Sequence, residues 1–312
     1  MLFALAALEN WYMTALDVKT AFLYGQLDEE IYMLQPEGFK VKGQESKVLR
    51  LHRTLYRLKQ ASLAWWKELN KSVQKLGFNK LYTDAGIFVS RHKDGTILIM
   101  LAYVDDILFM GPNKSMLQNK KAHFMKQWEC RDLGECKEFL QMQITRKNGN
   151  IYVDQMPYLQ KVVQHFGLTD AKHARTPLPQ GYQPLPNEGP VDPARRLKFQ
   201  SVIGSLLYIM LGSRPDIAYA VTVMSQFSVN PSQEHLDKAL YICCYLAGTP
   251  NYALVYEGKT NKGLIAYTDS DWAADPIKRR SVTGFFFKLA NCVISWQSRS
   301  QKTVALSSTE AL

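Results

Sequence analysis

The sequence lacks the patterns that mark membrane-spanning and secreted proteins. In 312 residues it has no run of about 18 apolar residues, the length that a membrane-spanning helix requires, so no transmembrane segment and no membrane partner are predicted. No Lys or Arg precedes the apolar start of the chain, and Glu9, Asn10 and Trp11 follow it where a signal peptide has small residues. We therefore interpret the start as a core helix.

The cysteines are few and follow no recognisable spacing. Because there is neither a C-x-x-C pair nor a histidine at ligand spacing, a zinc site and a disulfide framework are not expected. Because no disulfide framework is expected, a reducing compartment fits best, so we expect an intracellular protein, cytoplasmic or nuclear, and not a secreted one. The five are Cys130, Cys136, Cys243, Cys244 and Cys292.

The sequence has fewer acidic than basic residues. The chain carries 38 Lys and Arg against 28 Asp and Glu, a net charge of +10, which suits an anionic partner such as nucleic acid. Charge alone is a weak indication, since many basic proteins bind no nucleic acid. A hydrophobic fraction of 46% and 21% charged residues are ordinary for a globular protein and argue against general disorder.

Local patterns in the first half predict a mixture of strands and helices. Alternating residues form a strand that ends at Asp17, and residues 60–75 repeat apolar positions with the period of a helix. The apolar face predicted for this helix consists of Leu63, Trp66, Leu69, Val73 and Leu76. The β-rich runs 97–103 and 107–110 are separated by three residues and predict a hairpin. Further strands are predicted at 31–34, 47–51, 139–145 and 150–154, and a further helix at 115–130.

The second half begins after a segment rich in proline. Residues 173–196 hold six of the 13 prolines, a density that neither a helix nor the interior of a sheet tolerates, so this segment is the best candidate for a linker. Helices are predicted beyond it at 197–211, 215–228 and 232–247, then strands near 263–269, 282–289 and 292–297.

Two adjacent aspartates, Asp105 and Asp106, lie in the turn of the apolar hairpin. Paired carboxylates repel each other unless a cation lies between them, and hard divalent ions such as Mg²⁺ prefer oxygen ligands. Asp17, at the end of a neighbouring strand, is placed to supply a third acid. The hairpin alone does not decide between a metal site and ordinary turn residues, because aspartate also favours turns.

Longer motifs carry a resemblance to a known family. Tyr103-Val104-Asp105-Asp106 resembles the YxDD signature of reverse transcriptases, and residues 16–25 and 28–39 resemble the first palm motif of copia-type elements and its sequel. Similar stretches occur at 55–61 with Ala64-Trp65, and at 132–135, 214–221 and 245–249. Since they follow in order over nearly the whole chain, the sequence resembles a Pol polyprotein fragment of a copia-type LTR retrotransposon.

The resemblance implies roles for particular residues. Asp17, Asp105 and Asp106 would be the catalytic metal ligands, with the backbone carbonyl of Val18, for Mg²⁺ or Mn²⁺. Phe22 would lie under the sugar of the incoming nucleotide, with core packing as the alternative. Gln60 would lie near the nascent base pair, and Gln141-Met142-Gln143 falls where a primer grip is expected. The implied partners are an RNA template, a DNA primer and dNTPs; other element-encoded proteins are also possible.

Basic residues accumulate before and along the first long helix. Residues 50–80 contain eight Lys or Arg and one acid, Glu68, so this face is a candidate for phosphate contacts, which carry no sequence information. An ordinary solvated helix face explains the same pattern. The nucleic-acid-binding candidates are Arg53, Arg57, Lys59, Lys67 and Lys71.

The end of the chain resembles the beginning of an RNase H domain. Asp269 matches the acid of its first strand and Glu310 that of its first helix, while Asp271 is a capping or supporting acid. About four acids around two metals are needed for such cleavage, so we expect this incomplete set to be inactive. We likewise expect shortened fingers, because few residues precede Asp17.

The expected fold is α+β. Its polymerase palm has a ferredoxin-like antiparallel sheet with helices, followed by a helical connection and a truncated RNase H-like αβ module. The expected divisions are palm and thumb at 1–172, linker at 173–196, connection at 197–250 and partial RNase H-like domain at 251–312.

Three functional hypotheses follow from the sequence. The first is an RNA-directed DNA polymerase. The second is a degenerate element copy without catalysis, acting at most as a basic nucleic-acid-binding protein. The third is a non-enzymatic interaction protein with acidic turns, which requires Asp17 to lie far from Asp105.

Overall fold

A computed structural model describes residues 1–273 and 279–311. The chain divides into two compact units, one formed by Trp11–Phe139 and the other by Met1–Asn10 together with the chain from Leu140 onward. No helix within the described ranges is long and apolar enough to cross a membrane.

The described residues contain eight α-helices and fifteen strands, which confirms the expectation of a mixed α and β fold with antiparallel sheets. The helices are α1 (Leu2–Leu8), α2 (Ala61–Lys75), α3 (Lys114–Gln127), α4 (Met156–His165), α5 (Pro193–Gly212), α6 (Ala218–Ser225), α7 (Gln233–Gly248) and α8 (Ser308–Ala311). The strands are β1 (Tyr12–Val18), β2 (Gln26–Leu34), β3 (Val48–Arg53), β4 (Asn79–Lys80), β5 (Ile87–Arg91), β6 (Ile97–Tyr103), β7 (Asp106–Gly111), β8 (Cys130–Glu135), β9 (Glu138–Phe139), β10 (Met142–Lys147), β11 (Asn150–Asp154), β12 (Leu254–Tyr256), β13 (Ile265–Ser270), β14 (Val282–Leu289) and β15 (Cys292–Ser300).

The unit Trp11–Phe139 is built on a six-stranded antiparallel sheet. Its strand order is β4-β5-β6-β7-β1-β8. The hairpin of β6 and β7 lies at the centre of the sheet, and β1 pairs with β7. The central strands are almost continuously apolar, and Leu16, Met100 and Phe109 are fully buried there. They share one core with residues of α2 and α3, which include Leu69 and Phe124.

Helix α2 begins and ends close to its predicted limits, but part of its predicted apolar face was wrong. Leu69 and Val73 are buried as predicted, whereas Leu63 is 57% exposed and Trp66 is half-exposed. The buried stripe instead includes Ala61 and Trp65, four residues apart on one side of the helix. Two adjacent tryptophans look equally apolar in sequence, so composition could not identify the inward one.

The second unit has a helical core made by α4, α5, α6 and α7. Phe199, Leu206 and Ile242 are fully buried in it. The same unit contains an antiparallel sheet β12-β11-β10 and a three-stranded antiparallel sheet β13-β14-β15. The strands and helices predicted after residue 139 are therefore present, although α4 was not predicted.

The proline-rich segment has no regular structure before residue 193, yet it packs against the helices of its unit. The side chain of Asn230 donates to the carbonyls of Asn187 and Gly189 at 3.1 and 3.0 Å. Helix α5 begins at Pro193, inside the predicted linker, because Asp192 caps it by accepting from the Arg195 amide at 3.1 Å. The division between the two units falls at residue 139, not in this segment.

A buried arginine ties two helices of the second unit together. Arg214 is 2% exposed and donates to Asp216 at 2.8 Å and to the Thr249 carbonyl at 2.9 Å. Its guanidinium carbon lies 5.1 Å from the centre of the Tyr252 ring. The hydrogen bonds of the Arg214 guanidinium therefore connect the α5–α6 connection to the end of α7.

Replacing Arg214 with alanine is expected to destabilise the second unit. The change removes a buried guanidinium from the ring of Tyr252 and leaves the Thr249 carbonyl without its donor, at a cost of about 1–3 kcal/mol. Urea unfolding measures the change. Arg196→Ala, on the half-exposed side of α5, is the matched control and should shift stability by less than about 1 kcal/mol. Equal losses for both variants would contradict this role.

Candidate polymerase active site

The three predicted palm acids are brought together by strand pairing. In the antiparallel pair β1–β7, Asp17 lies directly opposite Asp106. In β6–β7, Tyr103 pairs with Asp106, so Val104 and Asp105 form a two-residue turn. Residues opposite each other on antiparallel strands have Cβ atoms about 4.5–5.5 Å apart. Asp105 also lies beside β1, because its carbonyl accepts a hydrogen bond from the Val18 amide at 2.8 Å, whereas a non-enzymatic acidic turn requires Asp17 to lie far from Asp105.

The turn itself has an unusual backbone. Val104 has a φ of 57°, in the left-handed region that a β-branched residue rarely adopts. Two hydrogen bonds fasten the turn: the Trp65 indole Nε1 donates to the Val104 carbonyl at 2.7 Å, and the Val18 amide donates to the Asp105 carbonyl at 2.8 Å. The strained conformation is thus held by both α2 and β1.

The acids affect one another electrostatically. Burial, followed by the charges of Asp105, Asp17 and Glu138, raises the pKa of Asp106 to about 6. Burial and the charge of Asp17 likewise raise the pKa of the Cys130 thiol to about 11. The end of the hairpin is therefore a region of negative potential in which a further negative charge is unfavourable and a cation is favourable.

The donor chemistry fits a hard divalent cation that shares its ligands with a substrate. Among residues 1–273 and 279–311, no three His, Cys, Asp or Glu side chains form a ready metal-holding group. Mg²⁺ usually takes one or two protein carboxylates together with phosphate oxygens, so a complete protein cage is not required. The facing Asp17 and Asp106 provide such a partial set. Val18 ends β1 beside them, where it pairs with Cys130.

Of the two predicted nucleotide-binding residues, one precedes strand β2 and the other follows strand β3. Phe22 lies in a short 3-10 turn, Ala21–Tyr24, half-buried against the core, and its ring centre is 5.0 Å from that of Tyr56. Its carbonyl accepts a hydrogen bond from the buried Thr54 hydroxyl. Gln60 precedes α2 and donates to the Glu29 carboxylate at 2.9 Å.

The predicted basic candidates are all exposed, but two are already paired within the protein. Lys67 lies 3.4 Å from Asp28, and Lys71 lies 2.9 Å from Glu68. Exposed pairs of this kind contribute little to stability. Arg53 ends β3, whereas Arg57 and Lys59 lie in the connection to α2.

Two residues near the acids were missed by sequence reasoning. Glu138 contributes to the raised pKa of Asp106, and Arg131 pairs with Asp17 on the other side of β1. Opposite residues share a sheet face, so Arg131 faces the same side as Asp17 and Asp106. Neither belongs to a local pattern. Arg131 reaches Asp17 through the pairing of β8 with β1, which are more than a hundred residues apart in sequence, and Glu138 lies on the following strand, β9.

The RNase H candidates lie on separate elements of the second unit. Asp269 is on β13 opposite Gly284, and Glu310 is in α8, where its carboxylate accepts from the Leu306 amide at 2.8 Å. Asp271 accepts from the Val282 amide, at the start of β14, at 3.1 Å. In the segment Gln141-Met142-Gln143, where a primer grip is expected, Gln141 has a φ of 61° and directly precedes β10.

Comparison with known proteins supports the same assignment. A model of the reverse transcriptase (RNA-dependent DNA polymerase) family matches residues 1–180. The chain is 38% identical, over 99% of its length, to the Retrovirus-related Pol polyprotein from transposon TNT 1-94 of Nicotiana tabacum, and covers 24% of that protein. It is 36% identical over 97% of its length to the corresponding polyprotein from transposon RE1 of Arabidopsis thaliana, covering 20%.

A transposon Ty5-1 protein of Saccharomyces cerevisiae is 32% identical over 95% of this chain, which covers 96% of it. By contrast, the chain spans a quarter or less of the two plant polyproteins that it matches. The chain belongs to the reverse transcriptase (RNA-dependent DNA polymerase) family and is related to the Pol polyproteins of copia-type transposons.

Proposed function

We propose that this chain is an RNA-directed DNA polymerase module that extends a DNA primer on an RNA template inside the cell. The observation that carries the proposal is the β1–β7 register, which sets Asp17 opposite Asp106 at the end of a hairpin. In the reaction, the primer 3′-hydroxyl loses its proton and attacks the α-phosphate of a dNTP. A new phosphodiester bond forms as the bond to pyrophosphate breaks.

The acids are proposed to hold Mg²⁺ or Mn²⁺ between protein and substrate. When bound, such ions lower the pKa of the attacking hydroxyl and neutralise charge on the leaving group. Asp17 and Asp106 supply carboxylate oxygens from facing strands, and Asp105 supplies a third from the turn. The backbone carbonyl of Val18 is a further proposed ligand, because Val18 directly follows Asp17.

Residues outside the acid group are proposed to bind nucleotide and template. Phe22 would contact the sugar of the incoming nucleotide, supported by Tyr56 at its edge. Gln60 would lie beside the new base pair. The exposed basic side chains before and along α2 would neutralise phosphates. They are Arg53, Arg57, Lys59, Lys67 and Lys71.

In the second unit, Asp269 and Glu310 are proposed as the first two acids of an RNase H-like module. The support is their place on the first strand of the antiparallel sheet β13-β14-β15 and on the helix that follows that sheet. This proposal is separate from the polymerase and does not affect it.

Asp105→Asn is expected to abolish primer extension. The amide keeps the shape of the side chain but removes a charge from the metal site, so incorporation should fall at least about 10²–10³-fold. Extension of a DNA primer on an RNA template with Mg²⁺ measures this. Asp94→Asn, in the exposed β5–β6 connection, makes the same change elsewhere and should retain full activity.

Equal incorporation by wild type and Asp105→Asn would remove the polymerase proposal. A wild-type chain that retains primer-template in a filter-binding assay but extends no primer would instead support the alternative, a basic nucleic-acid-binding protein without catalysis. The net charge of +10 favours that second candidate if catalysis is absent.

The raised pKa of Asp106 predicts a stability change with pH. A carboxyl group whose folded pKa is raised from 3.8 to about 6 stabilises the fold when it is protonated, and this contribution is lost as pH rises through that window. Asp106→Asn should therefore stabilise the metal-free protein at pH 7.5 and leave it unchanged near pH 4. Because the group is half-exposed, solvent screening limits the gain to about 1 kcal/mol.

Thermal unfolding at both pH values, with and without Mg²⁺, checks the prediction. Mg²⁺ should raise the melting temperature of the wild type at pH 7.5 more than that of Asp106→Asn, since the amide carries no charge. A variant that is less stable than the wild type at pH 7.5 without metal would show that Asp106 is not under electrostatic strain.

Phe22→Val is expected to weaken discrimination against ribonucleotides. A smaller side chain leaves room for a 2′-hydroxyl, so the preference for dNTP over rNTP, as the ratio of kcat/KM values, should fall about tenfold or more. Phe39→Val, at an exposed position in the β2–β3 connection, is the matched control. An unchanged ratio would assign Phe22 to core packing.

A further inference from the structure

The turn that presents Asp105 has a conformation that its own sequence disfavours. Val104 is β-branched and has a φ of 57°, whereas glycine or asparagine are the usual residues in this region. Because a two-residue hairpin admits more than one turn type, a flip of the peptide between Val104 and Asp105 would redirect the Asp105 side chain. Some contact must therefore select the observed conformation.

The contact at this peptide comes from Trp65. Its indole Nε1 donates to the Val104 carbonyl at 2.7 Å, across 39 positions of sequence. The carbonyl of Val104 belongs to the peptide that would flip, so a hydrogen bond to its oxygen opposes that rotation. The second bond, from the Val18 amide to the Asp105 carbonyl, holds the following peptide.

Trp65 is itself held rigidly. It is 2% exposed, and its ring packs edge-on against Trp128 at 4.9 Å and beside Tyr24 at 5.9 Å. Trp128 is anchored in turn by a hydrogen bond from its Nε1 to the Ser72 hydroxyl at 2.9 Å. The direction of the Trp65 N–H is thus set by an aromatic cluster within the core and not by solvent-exposed atoms.

We propose that Trp65 is a positioning residue of the palm: its indole N–H locks the Val104–Asp105 peptide and thereby sets the aim of the Asp105 carboxylate. The inference rests on the proposed polymerase function, and it assigns to a buried tryptophan a part in the reaction that requires no contact with substrate. Phenylalanine retains most of the packing of tryptophan and lacks the N–H donor.

The adjacent residue supplies a matched control. Trp66 also donates its indole N–H to a backbone carbonyl, that of Ala85, at 2.9 Å, and the Lys80 ammonium lies 5.5 Å from its ring centre. It is partly buried, and its acceptor lies in the connection before β5, not in the turn. Trp66→Phe therefore removes the same type of hydrogen bond from the same helix without touching the Val104–Asp105 peptide.

The first test is kinetic. Trp65→Phe should lower kcat for primer extension about tenfold, the effect of one lost hydrogen bond, while KM for dNTP and primer-template affinity change less than about twofold. Trp66→Phe should stay within about twofold of wild type in all three quantities. Equal kcat losses in the two variants would overturn the proposal.

The second test separates positioning from loss of core packing. Asparagine enters the left-handed region more readily than valine, so Trp65→Phe combined with Val104→Asn should recover several-fold of the lost kcat. A general loosening of the core would not be repaired by a change in the turn. Absence of any recovery would therefore contradict the proposed role.

A third readout does not depend on activity. Exchange of the Val18 amide hydrogen, which bonds the Asp105 carbonyl, reports opening of the turn by NMR. Trp65→Phe should speed this exchange about tenfold and Trp66→Phe should not; equal rates in both variants would refute the positioning role. If the wild type extends no primer, the polymerase proposal fails, whereas the exchange rates still decide the role of Trp65.

Discussion

The antiparallel register between β1 and β7 is the constraint on which the candidate site depends. Side chains on a strand alternate between faces, so a slip of one residue would turn Asp17 away from Asp106. The same slip would move Leu16 out of the core that it shares with α2 and α3. The apolar neighbours of Asp17 thus fix its position as a consequence of their own burial. The same strand register therefore determines both the packing of the core and the geometry of the site.

The arrangement opposes local stability. Asp106 is half-buried near Asp17, Asp105 and Glu138, and Val104 occupies a backbone region that valine avoids. Neither feature favours folding, and both lie at the end of a hairpin whose strands are otherwise buried. Unfavourable electrostatics and backbone strain commonly coincide at functional sites, where the surrounding core compensates for them. The buried residues at the centres of β6 and β7 provide such a core.

The sequence predicted the elements of the palm better than the contacts between them. The hairpin, its turn and α2 could be read from apolar runs and helical spacing, because these are local patterns. Trp65 and Trp66 could not be distinguished, and Glu138 and Arg131 went unnoticed, since each depends on which distant strand pairs with which. The segment 173–196 shows a similar limit: proline excludes regular structure, but it does not exclude packing, and Asn230 holds that segment down.

Backbone and side chains have different degrees of restraint at the hairpin end. The carbonyls of Val104 and Asp105 are both fixed by donors from the surrounding core. In the described part of the chain, no protein group donates a hydrogen bond to the carboxylates of Asp17, Asp105 or Asp106. Half-buried carboxylates without protein donors must be satisfied by water or by cations. Under the proposed polymerase function, a restrained backbone that carries such acids suits ions that arrive with substrate phosphates and leave with the product better than it suits a permanent structural metal.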